Sequence, residues 1–403
     1  MEEQNKIKQF LNPKTIAVIG ASNNPLKVGN ILMKKLRKFK GQIIPINPKS
    51  ERIDKKKAYK SVLKYPKEIN LAIIVIPSKF VLKALKQCAK KKIKNIIIIS
   101  AGFAEQKNYK LENKLIKIKN KYKLNILGPN CFGIFNPHLN LDCTFSNTTP
   151  KKGNIAFISQ SGALWSYASD LDLGFSGFVS IGNMSDLDFS DFIEYFNKDK
   201  STKKIILYIE KLKEGKKFIE ICKNSKKEII VVKSGKTEQG LKAAISHTAS
   251  LATNFEIYKG AFKQAHVKIV DSLTKALKLK NQNIFQKLKL NKTLVITNAG
   301  GAGALLIDKL SEKRFEPNKL VDILGTATAH DYHKALSRIR EKYSNIILIL
   351  TPQAMSEPEK TAEVIINSEY KSKIIALFLG DKSIQTAVEI LKKNKVPAFK
   401  SGV

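Results

Sequence analysis

Short apolar runs, each stopped by a turn residue and followed by a longer amphipathic, lysine-rich stretch, recur along the whole chain. A strand covered by helices on both faces is apolar throughout, so this alternation marks β–α–β units and parallel sheets. Three blocks follow. Residues 1–130 carry runs at Thr15–Ile19, Gln42–Ile46, Leu71–Ile76, Asn95–Ser100 and Asn125–Leu127, with helical stretches such as Asn30–Lys40 and Lys79–Lys91 between them. Residues 150–285 carry runs at Asn154–Ile158, Gly177–Ile181, Lys204–Ile209, Glu228–Val232 and Val267–Ile269. Residues 292–403 carry runs at Leu294–Thr297, Ile346–Leu350 and Ile374–Phe378, and a further candidate strand at Val396–Phe399. The segment Pro129–Lys152 reads as a link, and Lys278–Asn291 as a polar connector. The expected fold is α/β throughout. A length of 403 residues suits two or three domains, and 43% hydrophobic residues suffice for a core in each.

Composition excludes several classes. No apolar run is long enough for a membrane helix, and the polar start MEEQNKIKQF lacks the apolar stretch of a secretory signal. Four scattered cysteines (Cys88, Cys131, Cys143, Cys222) form no CxxC pair. They read as reduced thiols of a cytoplasmic protein, with no metal site. The net charge of +38 raises nucleic-acid binding, but only five arginines (Arg37, Arg52, Arg314, Arg338, Arg340) contribute to it. The lysines are spread along the chain, whereas base and phosphate readers rely on arginine forks. A lysine-biased surface that attracts anionic substrates accounts for the excess better than a nucleic-acid partner does.

Two places carry chemistry. The first strand runs into Gly20–Ala21–Ser22 and on through Lys27 to Gly29. A strand–glycine turn–helix junction offers free backbone N–H groups and a positive helix end to an anion, although an ordinary connecting loop fits as well. The spacing is not GxGxxG, and Asn47 stands where a dinucleotide enzyme needs a ribose-binding acid, so an oxidoreductase reading is weak. Loops at Asn47–Lys49, Pro77–Lys79 and Ser100–Phe103 follow other strand ends, the edge at which open α/β sheets bind ligands. Lys27, Lys49 and Lys79 face one crevice there or are simply surface charges. The pocket suits a phosphorylated nucleotide such as CoA.

The second place is His247, within Ala244–Ala252, a stretch of small and hydroxylated residues expected to form a loop after Lys233–Thr237. Such residues leave room around an imidazole and can donate to a phosphoryl group, although a lone histidine is commonly structural. Ser159–Leu164 is another strand-to-helix turn, with N–H groups able to hold phosphate. Glu210, at the end of the run Lys204–Ile209, is either a surface residue or the carboxylate that fixes the imidazole tautomer.

Taken together, the chain resembles the α-type subunit of the NDP-forming acyl-CoA synthetases, which comprise the ADP-forming acetate–CoA ligases and the succinyl-CoA synthetases. The matching text, in order, is IAVIGASNNPLKVGN, INPKS, LAIIVIPSKFV, IIISAGFAE, ILGPNCFGI, IAFISQSGAL, SIGNMSDLDFSDFIEYF, YIEKLKEGKKF, VVKSGKTEQGLKAAISHTASLA and ITNAGGAGALLIDKL. TPQAMSEPEK and the third block point to the acetate–CoA ligase branch. The resemblance implies a Rossmann-like CoA-binding domain (1–130) followed by two flavodoxin-like, succinyl-CoA synthetase-like domains (150–285 and 292–403, the latter shortened). It implies that acyl-CoA, ADP and phosphate are interconverted with acid, ATP and CoA through an acyl phosphate and a phosphohistidine. His247 matches the phosphorylated histidine, Glu210 its paired glutamate, and Ser161 and Gly162 the helix start that holds the phosphoryl group. Gly20, Ser22, Lys27, Asn47, Lys49 and Pro77 match CoA-contacting loops, and Asn130 lies where thiol and acyl group meet. No P-loop or ATP-grasp domain is visible, so Mg2+ and ADP/ATP are expected on a separate ATP-grasp β subunit, in a heterotetramer. A non-catalytic CoA-binding regulatory or scaffold protein is the alternative. Two departures stand out: Ala249 and Thr253 replace glycines of SHTGSLAG, and Asn318–Thr326 replaces NPVDLxGDA.

Overall fold

The computed structural model describes residues 2–248, 254–280, 282–289, 292–315 and 317–402, with side chains for all of these but 2–6, 245–248 and 317–318. Three open, largely parallel sheets lie along the chain. The first runs Gln42–Ile46, Thr15–Ile19, Leu71–Ile74, Asn95–Ile98, Asn125–Leu127. The second runs Lys268–Val270, Glu228–Lys233, Lys204–Ile209, Lys151–Ser159, Gly174–Ser180 and continues into two antiparallel strands, Ile134–Asn136 and Leu141–Asp142. The third runs Pro317–Asp322, Thr293–Thr297, Asn345–Leu350, Ile374–Phe378, Ala398–Phe399.

Taken by chain position, the parallel strands of each sheet stand in the order second, first, third, fourth, fifth. That order places a topological switch point beside the first strand, where the loops on either side diverge and leave a crevice. Strands such as Leu71–Ile74, Asn95–Ile98 and Asn345–Leu350 are buried at every position. Helices fit over them by amphipathic faces: Ser78–Lys90 buries Val81, Ala84, Leu85 and Cys88, at helical spacing.

Three expectations need correction. Residues 129–152 are not a plain link: Phe135 pairs with Phe178 and Ile134 with Val179, so the segment edges the second sheet. Strands of two or three residues are too short to show a period. Pro317–Asp322 is a strand that the pattern did not reveal; it is an edge strand opening on proline, where no ladder donor is needed. Several strand ends also shift. Leu71–Ile76 and Asn95–Ser100 stop at Ile74 and Ile98, and the second sheet's first two strands begin earlier, at Lys151 and Gly174.

The segment after Leu141 ties the three sheets together. Lys35, on the helix Val28–Lys35, donates to Asp142 Oδ2 (2.8 Å), Ser146 Oγ (3.0 Å) and the Thr148 carbonyl (2.8 Å). From the third sheet, Ala354 N–H donates to the Phe145 carbonyl at 3.0 Å. Asp170 closes a further bridge, accepting from Asp381 N–H (2.7 Å) and Ser383 Oγ (2.6 Å). Lys35 and Asp142 side chains are only 12% and 5% exposed. Breaking such a buried pair strands a charge, so Lys35→Met is expected to cost about 3–5 kcal/mol. Lys35→Met with Asp142→Asn should recover part of the loss, as read from denaturant midpoints of the variants.

Candidate active site

The three sheets meet at a cavity of about 460 Å3. The first sheet supplies Val75, Ile76, Pro77, Ser100 and Ala101 from loops after its third and fourth strands. Asn130, Cys131 and Phe132 follow its last strand, and Phe145 comes from the tying segment. The second supplies Gln160, Ser161, Gly162 and Ala163, and the third Asn298, Ala299, Gly300 and the turn Leu324–Thr326. Ligands collect at such strand ends because helix N-termini and loops, free of the ladder, converge there.

Two helix N-termini point into this space. One is Ala163–Asp170, capped by Gly162; the other is Gly300–Glu312, capped by Ala299. Neither cap has a side-chain hydrogen bond, so the first-turn N–H groups have no side-chain acceptor at the cap. They approach closely. A Cβ built on Gly301 would lie 2.6 Å from Ser161 Cβ and 2.9 Å from Tyr208 Oη. An anion between two helix starts meets two sets of donors and two positive dipole ends.

Behind this junction lies Glu210, 6% exposed and therefore not a surface residue. Its carboxylate accepts from Tyr208 Oη (3.2 Å), which also lies 2.9 Å from Ser234 Oγ and 3.2 Å from the Gly301 carbonyl. Burial, with Glu210 alongside, holds the Tyr208 hydroxyl well above its ordinary pKa, so it stays a neutral donor. The cavity residue Gln160 takes the Glu210 and Lys211 N–H groups on Oε1, at 2.6 and 2.8 Å. Burial lowers the neighbouring Lys233 to about 8. It pushes the Cys131 thiol up to about 12, so this cavity cysteine stays protonated and is no nucleophile.

Of the residues singled out from sequence, Pro77, Asn130, Ser161 and Gly162 line the cavity. Asn130 adopts a left-handed φ of 55° and donates its N–H to the Ser100 carbonyl at 3.0 Å, which joins two strand-end loops. Gly20, Ser22, Lys27, Asn47 and Lys49 occupy adjoining loops of the first sheet. Asn47 Nδ2 donates to the Ala21 carbonyl at 2.8 Å, and Asn30 Nδ2 to the Ser22 carbonyl at 3.0 Å. Gly20 sits at φ 102°, and a Cβ there would press on Ile76 Cγ2 at 2.7 Å. Lys27, Lys49 and Lys79 are exposed and outside the cavity lining. His247 corrects the expected loop: it is the penultimate residue of the helix Glu238–Thr248. Its side chain, and Ala249 and Thr253 with theirs, lie outside the described residues. Among the described residues, no three His, Cys, Asp or Glu side chains gather as a metal site, and no helix is long and apolar enough to cross a membrane.

Sequence reasoning had missed the third sheet's share. Asn298 turns into the fold, with Nδ2 donating to the Thr351 carbonyl and to Gln353 Oε1, each at 2.9 Å. Asn298–Gly301 begins a glycine-rich helix after an apolar strand, the same junction that identified Ser159–Leu164. The altered stretch Asn318–Thr326 contributes Asp322, Leu324, Gly325 and Thr326 to the cavity wall.

Comparison with known proteins agrees with this layout. Residues 14–137 match the model of the CoA binding domain, and residues 152–281 that of the succinyl-CoA ligase like flavodoxin domain. The chain is 40% identical to the ADP-forming acetate–CoA ligase II subunit alpha of Pyrococcus furiosus, over 97% of its own length and 93% of the relative's. It is 41% identical to the ADP-forming acetate–CoA ligase of Methanocaldococcus jannaschii, covering 98% of this chain but 61% of that one. A solved structure of dinucleotide forming acetyl-coenzyme A synthetase 1 from Ca. Korarchaeum cryptofilum, in complex with phosphate and ADP, is similar with a TM-score of 0.66. It is 31% identical, covering 98% of this chain and 94% of the other.

Proposed function

Because the chain belongs to the ADP-forming acetate–CoA ligase family, we propose that it is the CoA-binding, phosphoryl-carrying α subunit of such an enzyme. It interconverts acyl-CoA, ADP and phosphate with acid, ATP and CoA. The observation that carries this reading is the meeting of two helix N-termini, Gly162–Ala163 and Ala299–Gly300, on a cavity walled by loops of the CoA-binding domain.

The geometry supports a sequence of three transfers. Phosphate held between the helix starts attacks the thioester carbonyl carbon; the C–S bond breaks, and CoA and an acyl phosphate result. The His247 imidazole then attacks the phosphorus, and the acid leaves as carboxylate. Finally an oxygen of ADP attacks the phosphohistidine, giving ATP and restoring the imidazole. Phosphoryl transfer rests mainly on positioning and charge stabilisation, which preformed N–H groups and dipoles supply without rearrangement. The covalent intermediate divides one difficult transfer into two easier ones. Gly20, Ser22, Lys27, Asn47, Lys49 and Pro77 serve the nucleotide part of CoA, and Asn130 lies toward its thiol end.

Glu210 is assigned to orient the His247 imidazole and stabilise its cationic form. Glu210→Gln keeps the size but removes the charge, and is expected to slow ATP formation by about 10²-fold or more, read from steady-state kcat. The nucleotide and Mg2+ are assigned to a separate ATP-grasp β subunit, in a cytoplasmic heterotetramer. The test is reconstitution of the chain with such a subunit and measurement of ATP from ADP, phosphate and a panel of acyl-CoAs. Turnover is expected only in the complex; full activity of the isolated chain, or none with any acyl-CoA in the complex, overturns the reading.

A further inference from the structure

We propose that Asp308 is a positioning residue for phosphoryl transfer: its carboxylate clamps the base of the helix Glu238–Thr248 and so sets where the far end, with His247, stands. The inference rests on the phosphoryl-carrying role given to His247 above.

The segment Lys233–Ser234–Gly235–Lys236–Thr237 leaves the strand Glu228–Lys233 and enters that helix. Its string of small, hydroxylated and basic residues looks like a phosphate cradle. In the fold, however, the cradle is filled by the protein's own carboxylate. Asp308 Oδ2 accepts from Gly235 N–H at 2.7 Å, and Oδ1 from Lys236 N–H at 2.9 Å and Thr237 N–H at 2.8 Å. The Thr237 hydroxyl donates to Oδ1 at 3.0 Å and accepts from Gly240 N–H at 3.0 Å. Gly235 has φ +74°, which turns successive N–H groups toward one point. Asp308 is 2% exposed, and a Cβ on Gly240 would strike its carboxylate, so the fit leaves no room for an external anion.

The position of Asp308 gives this contact its consequence. It lies on the helix Gly300–Glu312, whose first turn enters the cavity and whose Gly301 carbonyl lies 3.2 Å from Tyr208 Oη, the hydroxyl that also bonds Glu210. One buried helix therefore presents its N-terminus to the phosphoryl site, braces Glu210 through Tyr208, and grips the root of the histidine helix two turns further on. From Glu238 to His247 the axis runs about 14 Å, so a tilt of about 10° at the root sweeps the histidine by about 2 Å. A misplacement of about 1 Å can cost roughly 10²-fold in rate. An asparagine at 308 would present one oxygen and an amide donor to four donors, and the grip would loosen.

The test separates the steps in the complex with the partner subunit. Phosphate-dependent exchange of labelled CoA into acyl-CoA reports formation of the acyl phosphate and does not use the histidine. Incorporation of acid-labile phosphate into the chain from acyl phosphate reports the histidine. Asp308→Asn is expected to slow labelling by about 10²-fold and to leave CoA exchange within about threefold. Thr237→Val, which removes one donor of the four, should give a smaller loss of labelling, with exchange intact. Parallel loss of both reactions in both variants, or labelling at the wild-type rate, overturns the inference. A wild-type complex that exchanges CoA yet never takes label on His247 instead removes the reading on which the inference rests.

Discussion

His247→Asn in the assembled complex is expected to abolish ATP formation from acyl-CoA, with a loss of about 10³-fold or more, and to leave no acid-labile phosphate on the chain. The expectation follows from covalent catalysis. In the proposed mechanism the imidazole forms a bond in the intermediate, and asparagine, of similar shape, has no nucleophilic nitrogen to replace it. The helix Glu238–Thr248 keeps its fold because the substitution falls at the helix end, where asparagine is tolerated. The first transfer does not involve the ring, so phosphate-dependent CoA exchange should persist. Measuring both reactions on one preparation tells a lost nucleophile from a lost fold. ATP synthesis at the wild-type rate would end the phosphohistidine assignment. Wild-type protein that binds CoA but takes up no phosphate with its partner present would instead favour the CoA-binding scaffold.

The second large effect is expected at Gly301. A Cβ there would lie 2.6 Å from Ser161 Cβ, 2.7 Å from Ser161 Oγ and 2.9 Å from Tyr208 Oη. All are below normal contact, and both neighbours are buried. Gly301→Ala must therefore push the two helix starts apart, at a cost of about 1–3 kcal/mol by overpacking. The helix itself would gain about 1 kcal/mol from the same exchange, so any loss measured belongs to the collision and not to propensity. A shift of the phosphoryl site by about 1 Å is worth roughly 10²-fold in rate. CoA binding, proposed above for the first sheet's loops, should stay near the wild-type Kd in titration. Gly215→Ala is the control: its Cβ meets nothing within 4 Å, and neither stability nor rate should fall.

Much of the fold could be read from the chain. Isoleucine- and valine-rich runs such as Leu71–Ile74 and Asn95–Ile98 announce buried parallel strands, since both faces are covered and no polar alternation survives. The strands Ile134–Asn136 and Leu141–Asp142 could not be read this way, because so few residues give no period, and because the first of them joins the sheet by pairing with the distant strand Gly174–Ser180, which local patterns do not reveal. Pro317–Asp322 hid for a different reason: an edge strand needs neither continuous apolarity nor a full set of donors. The site divides similarly. Ser161 and Gly162 are legible as a strand-to-helix turn. Glu210 could be named as a candidate, but its burial beside Tyr208 depends on the third sheet, whose Gly301 carbonyl closes over the hydroxyl.

The α/β class, the loops at the strand ends and the histidine on its stretch of small residues all follow from the order of residues along the chain. Each of these depends on the chemistry of neighbours along the chain. Packing of the sheets against one another places Asp308, and no external anion, in the cradle at Gly235–Thr237, and sets Gly301 directly against Ser161 at the cavity wall. Asp308 is 71 residues from Thr237, and in sequence it is an acid near the end of a glycine-rich, apolar helix. Its role exists only because two sheets pack closely enough for a buried carboxylate to meet unpaired N–H groups.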